Sequence, residues 1–264
     1  MTKINIENGH YLNVKTEGDN ANPTIIFSNS LGSDLNMWEP QVNFFKNNFH
    51  IVRYDKRGHG LSSDIKGPYS FDILEEDVIK IMNDLNIEKS HFVGLSMGGM
   101  TSLGLGLKYA DRFNKLICCA ARADMPPPAI EAWDQRISIV KEKGTEALIE
   151  GSIERWFSEG FRFDDANKET LNKTSNMIKN TSDNGYIGSC EAIKGLNYLK
   201  DLSNLTKDFL YVAGESDIGA PALHMEEMHH LTPNSKYICI PQVAHVFNLE
   251  NPEETNKIIS DFLN

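Results

Sequence analysis

The residues with the clearest chemical meaning form the segment Gly94-Leu95-Ser96-Met97-Gly98. It follows the apolar run HFVG and precedes a segment with the composition of a helix, MTSLGLGL. Glycines on both sides of a serine are typical of a sharp turn from strand to helix, where the crowded backbone leaves no room for Cβ atoms. Such a turn holds the hydroxyl clear of the sheet, near a helix N-terminus that favours negative charge on oxygen. The pattern therefore predicts that Ser96 is a nucleophile.

A serine nucleophile needs a base, because its hydroxyl is barely ionised near neutral pH. Eight histidines are available, and His245 follows the last predicted strand, within PQVAHVFNLENPEE. From that loop its ring can reach back over the edge of a sheet to Ser96. We therefore predict that His245 takes the proton of the serine and later returns it. His59, in a glycine-rich loop, is the alternative base, although a structural role suits it better.

An acid that orients the histidine is expected between the serine and the histidine in the chain. Asp217 stands just past the predicted strand DFLYVAG, and 245 − 217 places it 28 residues before His245. Its carboxylate would select one tautomer of the imidazole and stabilise the imidazolium. Asp124, which follows the strand KLICCAA, is the alternative acid one strand earlier.

Two backbone N–H groups are expected to stabilise the oxyanion that forms when the serine attacks a carbonyl. One belongs to Met97, the residue after the nucleophile. The other is predicted to be that of Leu31, in the loop Asn29-Ser30-Leu31-Gly32 that follows the strand TIIFS.

Apolar runs that alternate with amphipathic segments must position these residues. Several runs are apolar throughout rather than alternating, which indicates strands of a parallel sheet buried on both faces by helices. We predict an α/β fold with a mostly parallel eight-stranded sheet. Its clearest strands are TIIFS (24–28), HIVRYD (50–55), HFVG (91–94), KLICCAA (115–121), DFLYVAG (208–214) and KYICI (236–240).

The alternation stops between residues 123 and 207, which we call the helical insert. This stretch has no convincing strand and three helical segments, at 132–143, 145–157 and 168–179. Ligands of α/β folds bind at the carboxyl ends of the strands, where such an insert begins. The helical insert is thus interpreted as a cap, with residues 1–122 and 208–264 forming the core.

Composition narrows the possible partners. The net charge of −11, without a basic run, argues against binding to nucleic acid or to an anionic membrane surface. The four cysteines form no C-x-x-C pair, which favours free thiols in a reducing compartment, so a cytoplasmic location is expected. A small molecule is the expected partner, no metal or cofactor is expected, and the oligomeric state is left open.

With these residues placed, the chain resembles the α/β-hydrolase superfamily over nearly its whole length. Within the superfamily it is most similar to the 3-oxoadipate enol-lactonases of the β-ketoadipate pathway. The core segments carry the resemblance to the superfamily, and the segments in the helical insert carry the resemblance to the enol-lactonases. These segments are SNSLGSDLNMWEPQ (28–41), RYDKRGHGLSS (53–63), HFVGLSMGGM (91–100), AWDQRI (132–137), ERWF (154–157) and GYIGSCEAI (185–193).

The resemblance implies hydrolysis of a five-membered enol-lactone ring to 3-oxoadipate, in the catabolism of aromatic compounds, without a cofactor. The substrate carries a free carboxylate, for which Arg122 and Arg136 are the candidate cations, and Trp133 is the candidate wall over the lactone. Trp38 and Trp156 are assigned to packing. The sequence Ala121-Arg122-Ala123-Asp124 departs from the small polar residues usual after that strand, adding an arginine and an aspartate. The alternative function is that of a general carboxylesterase or another small-lactone hydrolase.

Overall fold

Eight strands form a single sheet in the computed structural model, which describes residues 1–264. The strands are β1 (Thr2–Asn5), β2 (Tyr11–Glu17), β3 (Thr24–Ser28), β4 (His50–Tyr54), β5 (Ser90–Leu95), β6 (Phe113–Cys119), β7 (Asp208–Gly214) and β8 (Ser235–Ile240). Their order across the sheet is β1-β2-β4-β3-β5-β6-β7-β8. All neighbours are parallel except β2, which runs antiparallel to both β1 and β4. The predicted α/β fold with a mostly parallel eight-stranded sheet is confirmed.

Helices cover both faces of this sheet. The α-helices are α1 (Glu39–Phe45), α2 (Phe71–Asp84), α3 (Met97–Lys108), α4 (Pro127–Lys143), α5 (Ile149–Trp156), α6 (Glu159–Phe163), α7 (Lys168–Lys179), α8 (Asp183–Lys194), α9 (Ala222–Leu231), α10 (Phe247–Glu250) and α11 (Pro252–Leu263). Apolar side chains of α2, α3 and α9 pack on one face, and those of α1 and α11 pack on the other. The central strands β3, β4 and β5 are buried along their whole length, which explains why their sequences do not alternate. None of the helices combines the length and apolar character needed to cross a membrane.

Five α-helices, α4 to α8, lie within the helical insert between β6 and β7. The sequence predicted helices in the regions of α4, α5 and α7, but it missed the short α6 and also α8. That helix, DNGYIGSCEAIK, contains two glycines, which are poor helix formers when judged by local propensity alone. Tertiary contacts override that propensity, because Gly185 and Gly188 are the points at which α8 meets the core.

At these points the helical insert lies directly against the core backbone. A Cβ atom on Gly58 would overlap the backbone of Gly185, and a Cβ on Gly185 would overlap that of Gly58. Hydrogen bonds reinforce the contact, since the Ser182 N–H donates to Gly58 O at 2.9 Å and the Tyr69 N–H donates to Gly188 O at 3.2 Å. The α8 end of the helical insert is therefore anchored to the core.

The loop that contributes Gly58 is itself braced by a buried ion pair. The Arg57 guanidinium donates to both carboxylate oxygens of Asp77 on α2, at 2.6 and 2.8 Å, and to Glu7 at 2.7 Å. Asp77 is 3% exposed, so the pair lies in a region of low dielectric constant. There the two hydrogen bonds between the charged groups are needed to offset the free energy of removing both charges from water. Arg57 thus connects the loop after β4 to α2.

Candidate active site

Ser96 stands at the tight turn between β5 and α3. Its backbone angles are φ 56° and ψ −114°, a strained conformation for a residue with a side chain. A Cβ atom on Gly94 would overlap the carbonyl of Gly98, and a Cβ on Gly98 would overlap the carbonyl of Ser28. Glycine is therefore required at both positions, and the sequence pattern around Ser96 has the physical cause that was predicted for it.

Asp217 and His245 meet beside this turn. Asp217 follows β7, and its Oδ2 lies 2.7 Å from His245 Nδ1. Its other oxygen accepts the backbone N–H groups of Gly219 and Ala220 at 2.8 and 3.0 Å. Both side chains are buried, with exposures of 4% for Asp217 and 8% for His245. The carboxylate is thus fully engaged and holds the imidazole in one orientation.

The charge of the aspartate follows from these contacts. Burial alone would raise the pKa of the Asp217 carboxyl, but the charge and hydrogen bond of His245 and the two backbone N–H groups together lower this pKa below its ordinary value. An ionised Asp217 accepts the Nδ1 proton of His245 and leaves Nε2 free to accept a proton. That is the tautomer a general base needs.

Ser96 and His245 line the same cavity, as the sequence predicted. No hydrogen bond joins the Ser96 hydroxyl to the imidazole in this structure, and such bonds commonly tighten only when substrate is bound. Asp124, the alternative acid, lines a separate cavity with Asn197. The geometry therefore favours Asp217 as the partner of His245.

The two proposed oxyanion donors face no competing acceptor. Met97 is the first residue of α3, so its N–H has no acceptor within the helix. The N–H groups on either side of Leu31 are engaged, since Ser30 donates to the Met37 sulfur at 3.4 Å and Gly32 donates to His59 Nε2 at 3.1 Å. Leu31 borders the cavity with Ser96. This arrangement supports the assignment of Leu31 and Met97 as oxyanion donors.

His59 and Lys56 hold the loop that carries Leu31. His59 accepts the Gly32 N–H at Nε2, and its Nδ1 lies 2.9 Å from the Arg57 carbonyl, so both ring nitrogens are occupied. Burial lowers the pKa of His59 to about 4, which keeps the ring neutral. Lys56 is buried and donates through Nζ to the carbonyl of Asn29. His59 is therefore positioned as a structural residue and not as the base.

The buried Lys56 should leave a signature in the pH dependence of stability. Burial lowers its pKa to about 7, although Asp55 opposes this shift, whereas an unfolded lysine has a pKa of about 10.5. Between these values the unfolded chain binds the extra proton, so stability rises with pH, by at most about 1.4 kcal/mol per pH unit for one proton. We expect Lys56→Met to reduce this slope between pH 7 and 8.5 in urea unfolding. Equal slopes for the two proteins would contradict the assigned pKa.

Ser96 lines a cavity of about 250 Å³ that lies between the helical insert and the carboxyl edge of the sheet. It brings together most of the side chains that the sequence proposed for the site. Its lining consists of Ser30, Leu31, Ser96, Met100, Ala120, Arg122, Met125, Ala129, Ala132, Trp133, Arg136, Ser152, Arg155, Trp156, Tyr186, Ile218, Gly219, Ala220 and His245. Met97 and Asp217 do not line the cavity themselves. Met97 directly follows Ser96 in the chain, and Asp217 is hydrogen-bonded to His245.

The helical insert supplies an aromatic and cationic wall. The Arg136 guanidinium carbon lies 4.3 Å from the centre of the Trp133 ring, a cation–π contact that places both side chains at the cavity. Arg155 and Trp156 line it too, and sequence reasoning missed both. Trp156 had been assigned to packing, and in the structure it packs and also faces the cavity. The segment ERWF contained the signal, since it is helical and holds an arginine beside a tryptophan.

Arg122 also reaches the cavity, from the loop after β6. Its buried Nε has no hydrogen-bond partner. The aspartate that sets this segment apart lines a different cavity, and its backbone forms an isolated β-bridge with Asn197. The positive charge of Arg122 is thus left facing the cavity.

Comparison with known proteins agrees with this geometry. Residues 23–252 match the model of the alpha/beta hydrolase fold family. The 3-oxoadipate enol-lactonase 1 of Acinetobacter baylyi is 34% identical over 255 residues, covering 97% of this chain and 94% of that protein. The crystal structure of the enol-lactonase from Burkholderia xenovorans LB400 superposes with a TM-score of 0.92 at 32% identity, covering 97% of both chains.

A second solved structure is similar at lower identity. The thermophilic esterase from Thermogutta terrifontis, determined with malate bound, has a TM-score of 0.92 and is 26% identical, covering 99% of this chain and 97% of that one. The resemblance to enol-lactonases that the motifs indicated is confirmed by these matches. The chain belongs to the α/β-hydrolase fold family.

Proposed function

We propose that the protein is a serine hydrolase that opens the lactone ring of 3-oxoadipate enol-lactone to give 3-oxoadipate, in the β-ketoadipate pathway of the cytoplasm. The observation that carries the proposal is the Asp217–His245 pair, at 2.7 Å, beside a strained Ser96 on a cavity with a cationic wall. The relatives named as enol-lactonases support the choice of substrate.

In the first half of the proposed reaction, Ser96 Oγ attacks the ring carbonyl while His245 Nε2 takes the hydroxyl proton. The N–H groups of Leu31 and Met97 stabilise the oxyanion, and each such donor contributes about 3–4 kcal/mol to lowering the barrier in comparable enzymes. Collapse of the tetrahedral intermediate breaks the ring C–O bond, and the departing enolate oxygen takes the proton held on His245 Nε2 to become an enol. An enolate is a better leaving group than an alkoxide, so this step needs less help from a general acid than ordinary ester hydrolysis, and the enol then tautomerises to the ketone.

In the second half, the acyl group is attached to Ser96 and water must replace it. His245, neutral again after giving up its proton, activates a water molecule at Nε2. The water attacks the acyl carbonyl, the same two N–H groups stabilise the second oxyanion, and the proton returns to Ser96 Oγ as 3-oxoadipate leaves. Every proton transfer in this cycle uses groups of the chain itself or water.

The free carboxylate of the lactone has candidate partners in the cavity wall. Arg122 and Arg136, proposed from the sequence, both line the cavity, and Trp133, which lines it too, would cover the lactone ring. Residues 123–207 would form the cap of the site, because α4 and α5 supply most of this wall. The similar esterase from Thermogutta terrifontis was determined with a carboxylate-bearing molecule, malate, bound.

The test is a panel of lactones and esters with the purified protein. We expect rapid loss of the absorbance of 3-oxoadipate enol-lactone, with kcat/KM at least about a hundredfold above that for p-nitrophenyl acetate, since the enol-lactone also engages the cationic wall. The alternative, a general carboxylesterase or another small-lactone hydrolase, would show the opposite order or hydrolyse p-nitrophenyl acetate alone.

A further inference from the structure

The charge of the cavity lining is unbalanced. Three arginines line it, Arg122, Arg136 and Arg155, and no aspartate or glutamate does, although the chain as a whole carries a net charge of −11. None of the three forms an ion pair with a carboxylate. Cations in a partly buried site are costly unless anions offset them. The lining therefore lacks counter-charges that a ligand could supply.

Two of these arginines, Arg136 and Arg155, lie on consecutive helices of the helical insert and line the same cavity. Arg136 on α4 is stacked on Trp133, and Arg155 on α5 donates to the hydroxyl oxygen of Ser152 at 3.2 Å. Burial lowers the pKa of Arg155, and the nearby charge of Arg136 lowers it further, as expected for neighbouring guanidinium groups. Asp134, two residues before Arg136, is turned away and pairs with Lys194 at 2.6 Å. The pair of guanidiniums thus offers several N–H donors to one carboxylate.

Arg122 is a separate cation on the core side of the cavity. It follows β6, which pairs with β5, and β5 ends at the turn that carries Ser96. Its buried Nε is without a partner, and Asp124, two residues further on, lines a separate cavity with Asn197. Arg122 therefore lies on the same side of the cavity as Ser96, where a ligand would react. Arg136 and Arg155 line the cavity from the helical insert.

We propose that this cavity recognises ligands with two anionic groups, with Arg136 and Arg155 holding one and Arg122 holding the other. The inference rests on the proposed function for its chemistry, and it assigns Arg122 a specific task. Opening the lactone creates a second carboxylate at the carbonyl that Ser96 attacked, so the product is a dicarboxylate. Arg122 would receive that new carboxylate, and the cavity would bind short linear dicarboxylates as product analogues.

Calorimetric binding to the resting protein tests this directly, with adipate and hexanoate as probes. The two have six-carbon chains and differ by one carboxylate. We expect adipate to bind at least about tenfold more tightly than hexanoate, the effect of one added charge-assisted contact. We expect Arg122→Gln to remove that preference while Arg122→Lys retains most of it. The charge-matched control Lys141→Gln, on an exposed part of α4 outside the cavity, should bind adipate as the wild type does.

Two outcomes would overturn the proposal: equal affinities of the wild type for adipate and hexanoate, or an undiminished preference in Arg122→Gln. The other proposed carboxylate site, Arg136 and Arg155, gives an independent check. Arg136→Gln should weaken the binding of both adipate and hexanoate. Because the measurement needs no turnover, it is separable from the proposed function. A protein inactive on the enol-lactone could still prefer adipate, and an active enol-lactonase could still lack the preference.

Discussion

Replacing Ser96 by alanine is expected to reduce kcat on the enol-lactone by at least about 10⁴-fold, because it removes the atom that forms the acyl intermediate. The fold should persist, since the strain at this position belongs to the backbone and the Cβ is retained. Calorimetric binding of adipate should persist as well, because the guanidinium groups of the cavity are untouched. The measurement is steady-state hydrolysis followed by absorbance, with circular dichroism to verify folding.

Ser138→Ala is the matched control for this substitution. Ser138 lies on the exposed side of α4, where its hydroxyl donates to the carbonyl of Asp134 at 3.0 Å, and it does not border the cavity. Its loss should leave kcat within about twofold of the wild type, as is usual for a surface change. Wild-type turnover by a folded Ser96→Ala protein would refute the nucleophile and the mechanism with it.

Replacing Asp217 by asparagine is expected to reduce kcat by about 10⁴-fold, with little change in fold. The amide oxygen can still accept the N–H groups of Gly219 and Ala220, but its NH₂ group would donate to His245 Nδ1. The imidazole proton would then move to Nε2, and a protonated Nε2 cannot accept the proton of Ser96. The loss should appear in kcat more than in KM, because orientation of the base matters in the transition state.

Asp124→Asn is the control here, since the same chemical change is made at the alternative acid. Asp124 lies in a different cavity from His245, so kcat should stay within a few-fold of the wild type. The reverse outcome, a large loss in Asp124→Asn and a small one in Asp217→Asn, would move the acid to the end of β6.

The proposed triad could be assigned from the sequence because each member has local constraints. The turn at Ser96 requires glycines at fixed positions. The strands β7 and β8 can be recognised from their sequences, and the loops that hold Asp217 and His245 are the segments that come after them. Because each loop follows a parallel strand, it lies at the carboxyl edge of the sheet, where Ser96 also lies. The fold class, which is confirmed, and the proposed nucleophile thus needed no knowledge of side-chain contacts.

The cavity wall was harder to predict because its members share no local signature. Arg155 and Trp156 stand on a short amphipathic helix, and only packing of α5 against the core determines which of its side chains face the site. Helix α8 was missed for a related reason, since its glycines lower its intrinsic helicity. Their use is apparent only when the partner surface, Gly58, is known.

The glycine contact between α8 and the loop after β4 has a consequence for how ligands reach Ser96. To swing away from the sheet as one rigid flap, the helical insert would have to break this close backbone contact. Ile218, which is 72% exposed, forms part of both the cavity lining and the outer surface, so the cavity has a mouth beside it. We infer that the width of this mouth, and not a hinged opening, limits the size of molecule that can diffuse in and out.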